Sequence, residues 1–328
     1  IARGNIFMYF VPLILYMALF IPFSIDIDYS LNAYMKWIYS VSVGCITYVL
    51  YLKSLLTRKN IAIITLISLF ILIGGLLFEL AYKKSHIMQS NIGYYFLALV
   101  PMVFYSFSEK KKINVLLLFL IGLLIFISLK KGPILIFITI IFLVYVPEFF
   151  KGRDKLLSII VFTVIAIFFS TILFYTGSFI ENLSLRLIDD TGSGRSTTYM
   201  LLLGSLLDKD AIDLFFGSGS ISSQVFSGNE IGVRENAKYG LSTHSDGLWL
   251  GYEYGIFSIL LYFYALYKVK IVLVGNDYRN LKLSLFTIIL FTFIFSHFMF
   301  TNNAWPIYLI LGVIFAEVKM RSRGMHVS

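Results

Sequence analysis

The sequence predicts an all-α, polytopic membrane protein of about ten or more transmembrane helices with one large loop on the non-cytoplasmic side. Three observations predict it: the apolar content, the regular recurrence of apolar runs, and the placement of basic residues between them. Hydrophobic residues make up 59% of the 328 residues and charged residues 14%. That is more apolar side chain than a water-soluble domain of this size can hide, so the bilayer is its solvent. A formal net charge of +9 would suggest nucleic acid in a soluble protein. Here Lys and Arg stand in short clusters between apolar runs, which is a topology signal, and no nucleic-acid partner is expected. The one cysteine, Cys45, lies inside an apolar run; it has nothing to pair with in this sequence and argues against a Cys-based zinc site. Ile1 opens the sequence without a methionine and an apolar run follows almost at once, so the helix count is a lower bound. No charged region followed by a small-residue cleavage site precedes that run.

Runs of about 17 to 22 mainly apolar residues can cross a hydrocarbon core of roughly 30 Å as helices, which satisfy their backbone groups internally. Such runs occur at 6–23, 33–52, 61–82, 91–107, 113–129, 133–150, 156–176, 247–267, 281–298 and 305–319. The chain then divides into helices one to seven (1–176), a loop (177–246), and helices eight to ten with a tail (247–328). With the N-terminus inside, seventeen of the 27 Lys and Arg fall in cytoplasmic segments and five in the short outer segments. The remaining five lie in the long loop. The positive-inside rule therefore puts both termini in the cytoplasm and the loop outside.

Ionisable residues near apolar segments are costly and mark function where they persist. Glu79, Lys83, Lys84, Lys130, Lys131, Glu253, His297, Asn302 and Asn303 all fall toward the outer ends of their spans. Snorkelling accounts for Lys83 and Lys84 as well as function does. Lys130 and Lys131 run against the positive-inside trend, and Gly132-Pro133 is expected to form a tight turn that holds both cations between two helices. Glu253 is either a hydrogen-bonded helix residue or a substrate contact. For His297 an interhelical hydrogen bond is the expected role.

In the loop, Gly, Ser, Asp and Asn replace Ile, Leu and Phe, and its length exceeds that of a plain connector. Ser196 or Thr197 is expected to cap a helix through Leu207, with Tyr199, Met200, Leu203, Leu206 and Leu207 as its apolar stripe. The short apolar piece 212–216 ends in Gly217-Ser218-Gly219, which lacks the Lys-Ser/Thr of a nucleotide loop and reads as a turn. The loop is expected to lie folded against the membrane surface. Arg195 follows Gly192-Ser193-Gly194 just before the capped helix, where amides, a positive helix end and a guanidinium converge on an anion such as phosphate. Pairing with Asp189 or Asp190 is the alternative. His244, in Thr243-His244-Ser245-Asp246 at the start of the eighth span, is the candidate catalytic residue of the loop. No HExxH, clustered histidines or GxSxG elbow supports a metal or a serine nucleophile.

Several of these segments together resemble the bacterial O-antigen polymerase and O-antigen ligase superfamily. They are GSGR at 192–195, LFFGSG at 214–219, THSDGLWLGYEYGIF at 243–257, and SLKKG at 128–132. The likeness covers about residues 128 to 267 in motif and the whole chain in layout. Two departures stand out: Ser245 follows the histidine where the family often has Asn, and Lys131 stands where it often has Arg. Lysine neutralises phosphate but lacks the bidentate fork.

The resemblance implies a GT-C-like helical enzyme of the bacterial inner membrane, active at the periplasmic face. Its reaction is transfer of a glycan from undecaprenyl pyrophosphate to the hydroxyl of a lipid-linked repeat unit, without metal or cofactor. Its partners would be undecaprenyl-pyrophosphate-linked oligosaccharides and membrane lipids, with a chain-length regulator and a flippase. Pyrophosphate leaves as a stable anion and needs fixed positive charge, the expected role of Arg195, Lys130 and Lys131. The acceptor hydroxyl needs a base, for which His244 is the candidate, with Asp246 orienting its imidazole. Glu253 would hold sugar hydroxyls or act as the base itself. Arg234 or Arg186 would supply the anion site if His244 only binds substrate. A ligase differs in its acceptor, the lipid A core. A flippase or secondary transporter would keep polar sites near the midplane of repeated halves, a pattern the chain lacks.

Overall fold

The computed structural model describes residues 6–82, 91–128, 130–150, 195–232, 238–240, 245–274 and 278–323. Among them every regular element is helical. In chain order these are α1 (Val11–Phe20), α2 (Ile27–Leu52), α3 (Arg58–Tyr82), α4 (Ile92–Ser106), α5 (Lys111–Ile127) and α6 (Lys131–Phe150). After the loop begins come α7 (Arg195–Leu207), α8 (Ala211–Phe216) and α9 (Ser222–Ile231), then α10 (Asp246–Val274), α11 (Arg279–Phe295) and α12 (Trp305–Ser322). Short 3-10 turns occupy Ile6–Tyr9, Ile21–Phe23 and Asn302–Ala304.

Among the described residues, three stretches are long and apolar enough to cross a membrane: Ile27–Leu52, Arg58–Ala81 and Asn302–Ser322. The other predicted spans coincide with shorter helices or with α10, except 156–176, which lies outside the described residues. α2 starts well before residue 33 because Asp26 caps it, accepting the Tyr29 N–H at 3.0 Å, and Asp28 occupies the first turn, where the helix dipole favours a carboxylate. The predicted eighth span is not one helix, since Gly255 breaks α10 with φ +73° and ψ 177°. The ninth stops at Phe295, and the chain runs extended at Ser296 (φ −152°, ψ 142°). α3 turns Ile67, Phe70, Ile71 and Phe78 outward, Phe70 being 78% exposed. Such an apolar outer face suits lipid contact.

The centre of the bundle is α12 packed on α2. Tyr308, Ile310, Val313 and Ile314 are buried there, and the Trp37 indole donates to the Tyr308 hydroxyl at 2.9 Å. Between lipid-solvated helices close packing must replace the hydrophobic effect, and small residues permit it. A Cβ at Gly312 would stand 2.3 Å from the Gly44 carbonyl oxygen, and one at Gly44 would stand 2.8 Å from the Tyr308 carbonyl oxygen. Gly312→Ala should therefore force the two backbones apart at a cost of about 1–3 kcal/mol. Gly74→Ala, with nothing within 4 Å, serves as control. A melting temperature in detergent that falls no further for Gly312→Ala than for the control would refute this crossing.

The links alternate between the two ends of α2, which lie roughly 39 Å apart at the helical rise. At the Tyr51 end, the buried Glu317 carboxylate accepts from the hydroxyls of Tyr51 (2.8 Å) and Tyr105 (2.5 Å). Arg58 donates there to the Tyr105 carbonyl at 2.8 Å. At the Asp26 end lie the loop helices and the starts of α4, α6 and α10.

Candidate functional site

The break in α10 and the glycine turn after α8 are one structure. An unbroken helix would direct the Tyr252 and Glu253 carbonyls to amides one turn ahead; the kink at Gly255 frees both. The amides of Ser218 and Gly219 take them up at 3.1 and 3.0 Å. Lys209 Nζ also reaches the Tyr252 carbonyl at 2.9 Å, and the Tyr16 hydroxyl reaches the Tyr254 carbonyl at 2.9 Å. The two backbones touch: a Cβ at Gly255 would lie 2.2 Å from the Phe215 carbonyl oxygen, and one at Gly217, φ +87°, 2.4 Å from that of Glu253. The turn expected at 217–219 is present, and it fixes the far end of the 246–254 helix. Burial lowers the Lys209 ammonium to a pKa of about 8, opposed by Asp213 and Glu253, and it sits 3.6 Å above the Tyr252 ring.

Glu253 is 1% exposed and accepts from Ser223 Oγ at 2.5 Å, with the Trp249 indole and the Ile221 amide also facing its carboxylate. Ile221 holds φ +70°, a left-handed conformation that a β-branched residue rarely adopts. The strain accompanies the aiming of its amide at Glu253, as at other sites where surrounding structure over-determines the backbone.

Ser245 caps the start of α10, accepting the Leu248 N–H at 3.0 Å and donating to the Phe293 carbonyl at 2.8 Å. Asp246 is fully buried. Because the chain leaves the helix after Phe295, the Phe298 and Met299 amides have no helical carbonyl to meet, and Asp246 accepts from them at 3.1 and 3.0 Å. His297 Nδ1 lies 3.0 Å from the same carboxylate, an ion contact outside hydrogen-bond geometry. Trp249 packs on the imidazole at 4.8 Å between centroids. Both Asp246 oxygens are thus engaged within 297–299, and its imidazole partner among the described residues is His297.

Ring stacking joins this cluster to α6. Phe298 stacks on Tyr94 at 5.7 Å, and Tyr94 stands where a Cβ at Gly132 would come within 2.3 Å of its hydroxyl. Ser128 packs likewise against Gly93. Gly132-Pro133 is not the expected turn but the first turn of α6, which opens at Lys131. Lys131 thus opens a helix whose N-terminus favours an anion, with Lys130 just before it.

α7 already includes Arg195, so Ser196 and Thr197 are first-turn residues rather than the cap. The Tyr199 hydroxyl anchors that turn to the Ile294 carbonyl at 2.5 Å, close to Ser245 and Asp246. Among the described side chains of α7, Thr198 and Leu202 are buried; of the apolar stripe Met200, Leu203 and Leu207 are exposed and Tyr199 and Leu206 half-buried. An apolar face can meet lipid as well as core.

The structure thus brings Asp246 and Glu253 together with the helix starts that carry Arg195 and Lys131, and with Lys130. The side chains of Lys131 and Arg195 lie outside the described residues, as do His244, Arg234, Arg186, Lys83 and Lys84 altogether. Sequence reasoning missed His297 as Asp246's partner, along with Trp249, Ser223 and Lys209. The only signal for His297 was a lone histidine at the end of an apolar run.

Asp26 ties the loop to the bundle, receiving Lys238 and the Tyr239 hydroxyl, the latter at 2.7 Å. The Lys238 ammonium holds the Asp26 carboxyl far below the usual carboxylate range, helped by the Tyr29 amide and Tyr239. A depressed acid stabilises above its unfolded value and loses that stability as pH falls, so the tie should persist at neutral pH and weaken below about pH 4. Few atoms surround the pair, so salt should weaken it too. Protection of the 238–240 amides, taken relative to their intrinsic exchange rates, should fall in acid for the native protein and at neutral pH for Asp26→Asn. Exchange unchanged by the substitution would refute the tie.

The sequence matches no model of a known protein family and no curated protein, and the structure matches no solved structure.

Proposed function

We propose that this chain is an inner-membrane glycan polymerase of the O-antigen type, with ten or more spans, cytoplasmic termini and the 177–246 loop in the periplasm. One observation carries the reading: basic residues at the starts of α6 and α7 stand beside a buried carboxylate and imidazole cluster at one end of the bundle. A lipid-bound pyrophosphate placed among Lys130, Lys131 and Arg195 has its developing charge met by fixed cations. The acceptor hydroxyl attacks the anomeric carbon of the donor glycan, forming the new C–O bond. The bond to pyrophosphate breaks, its electron pair leaves with the phosphate, and a base takes the proton. His244 is the sequence's candidate for that base; if it only binds substrate, Arg234 or Arg186 supplies the anion site. An open groove of about 410 Å³ between α7 and α9 offers the Phe226 ring and the carboxylates of Asp208 and Glu230, groups that a sugar's faces and hydroxyls use.

The test is extension of a defined lipid-pyrophosphate oligosaccharide by the purified chain, with and without chelator. Extension in both arms is expected. A deletion strain that accumulates single-repeat lipopolysaccharide identifies the polymerase, whereas loss of all O-antigen from the core identifies a ligase. Normal long chains in that strain would refute both.

A further inference from the structure

We propose that His297, held by Asp246, is the base that takes the acceptor proton, in the place that sequence reasoning gives to His244. This rests on the transferase reading above. Asp246 is immobile: it is fully buried and bound by two backbone amides. It lies against Nδ1 of His297, an atom sealed from solvent, while the side chain as a whole remains 23% exposed. With Nδ1 buried against the carboxylate, Nε2 is the ring nitrogen left to receive a proton, and Asp246 can stabilise the resulting imidazolium. Trp249 fixes the ring from one side. The next residue, Phe298, stacks on Tyr94 beside the start of α6, and Ile294 receives the Tyr199 hydroxyl of α7. The imidazole therefore stands between the two basic helix starts.

The step balances with the donor and acceptor already named. The acceptor O–H bond breaks as its oxygen bonds the anomeric carbon, the proton passes to Nε2, and pyrophosphate departs with the electron pair. Among the described residues, the ionisable groups around His297 are the carboxylates of Asp246 and Glu253 from α10. Around Asp246 stand the phenols of Tyr199 on α7, Tyr262 on α10 and Tyr308 on α12. Tyr94 on α4 approaches Tyr199.

The alternative is that His297 merely ties the 296–301 link to α10, and His297→Asn separates the two roles. Asparagine can place an amide N–H where Nδ1 stands, keeping the tie while removing the base. In the extension assay with the full chain, His297→Asn should lower kcat by roughly 10²- to 10⁴-fold with KM little changed and flatten the acid limb of the pH–rate profile. His244→Asn should not flatten that limb. As a readout that needs no variant, carbethoxylation of the wild-type protein with diethyl pyrocarbonate should label His297, with labelling and inactivation in step and both slowed by the donor lipid. His297→Asn at wild-type rate and pH profile, or labelling of His297 without loss of activity, overturns the assignment while leaving the transferase reading intact. A wild-type protein that extends nothing overturns both.

Discussion

Gly255→Ala should remove both the activity and the ordered attachment of the loop. Its backbone lies in a region open essentially to glycine, and the added Cβ would collide with the Phe215 carbonyl oxygen at 2.2 Å and the Gly217 amide at 2.6 Å. Strain of about 1–3 kcal/mol from the backbone and a similar amount from overpacking together make about 2–6 kcal/mol. The damage is local first: the amides of Ser218 and Gly219 lose their carbonyls, α8 and α9 detach, and Ser223 leaves Glu253. Limited proteolysis of the purified variant should cut within 208–232 much faster than in the wild type. Gly204→Ala, with nothing within 4 Å of its Cβ, should cut no faster than the wild type. Equal protection of Gly255→Ala and wild type would show that α10 is not broken as described.

Arg195→Ala should lower extension roughly 10²- to 10³-fold, the usual cost of deleting one fixed donor to a developing anion. Arg195→Lys should recover part of the rate, since lysine restores the charge but not the planar fork. The Lys130→Ala/Lys131→Ala pair should act in the same direction and make the residual rate less sensitive to salt. The reason lies in α6 and α7: each begins with a basic residue at a helix N-terminus, a place that favours an anion. Arg195→Ala and the lysine pair extending at the wild-type rate, with the protein at normal abundance, would remove the anion site from the mechanism.

Legibility varied with the range of the interaction. The apolar runs at 61–82, 91–107 and 305–319 mark α3, α4 and α12 because a helix in lipid must be apolar over its own length, a property of consecutive residues. The turn at 217–219 was legible from glycine alone. The cap of α2 was missed because Asp26 lies outside the apolar run that defined the span. The apolar stripe of α7 was legible but its covering was not, because hydrophobic periodicity gives a face without saying whether lipid or protein meets it.

The sequence by itself determined the all-helical class, the apolar elements, the composition of the long loop and the candidate motifs, since local periodicity and turn chemistry fix these. The tertiary structure decided which motifs meet. Asp246 engages Phe298 across 52 positions and turns to His297, and Gly255 breaks a helix so that its freed carbonyls bind the turn after α8. Those choices follow from where buried amides and carbonyls are left without local partners. Chain closure settles that, and no stretch of neighbouring residues contains it.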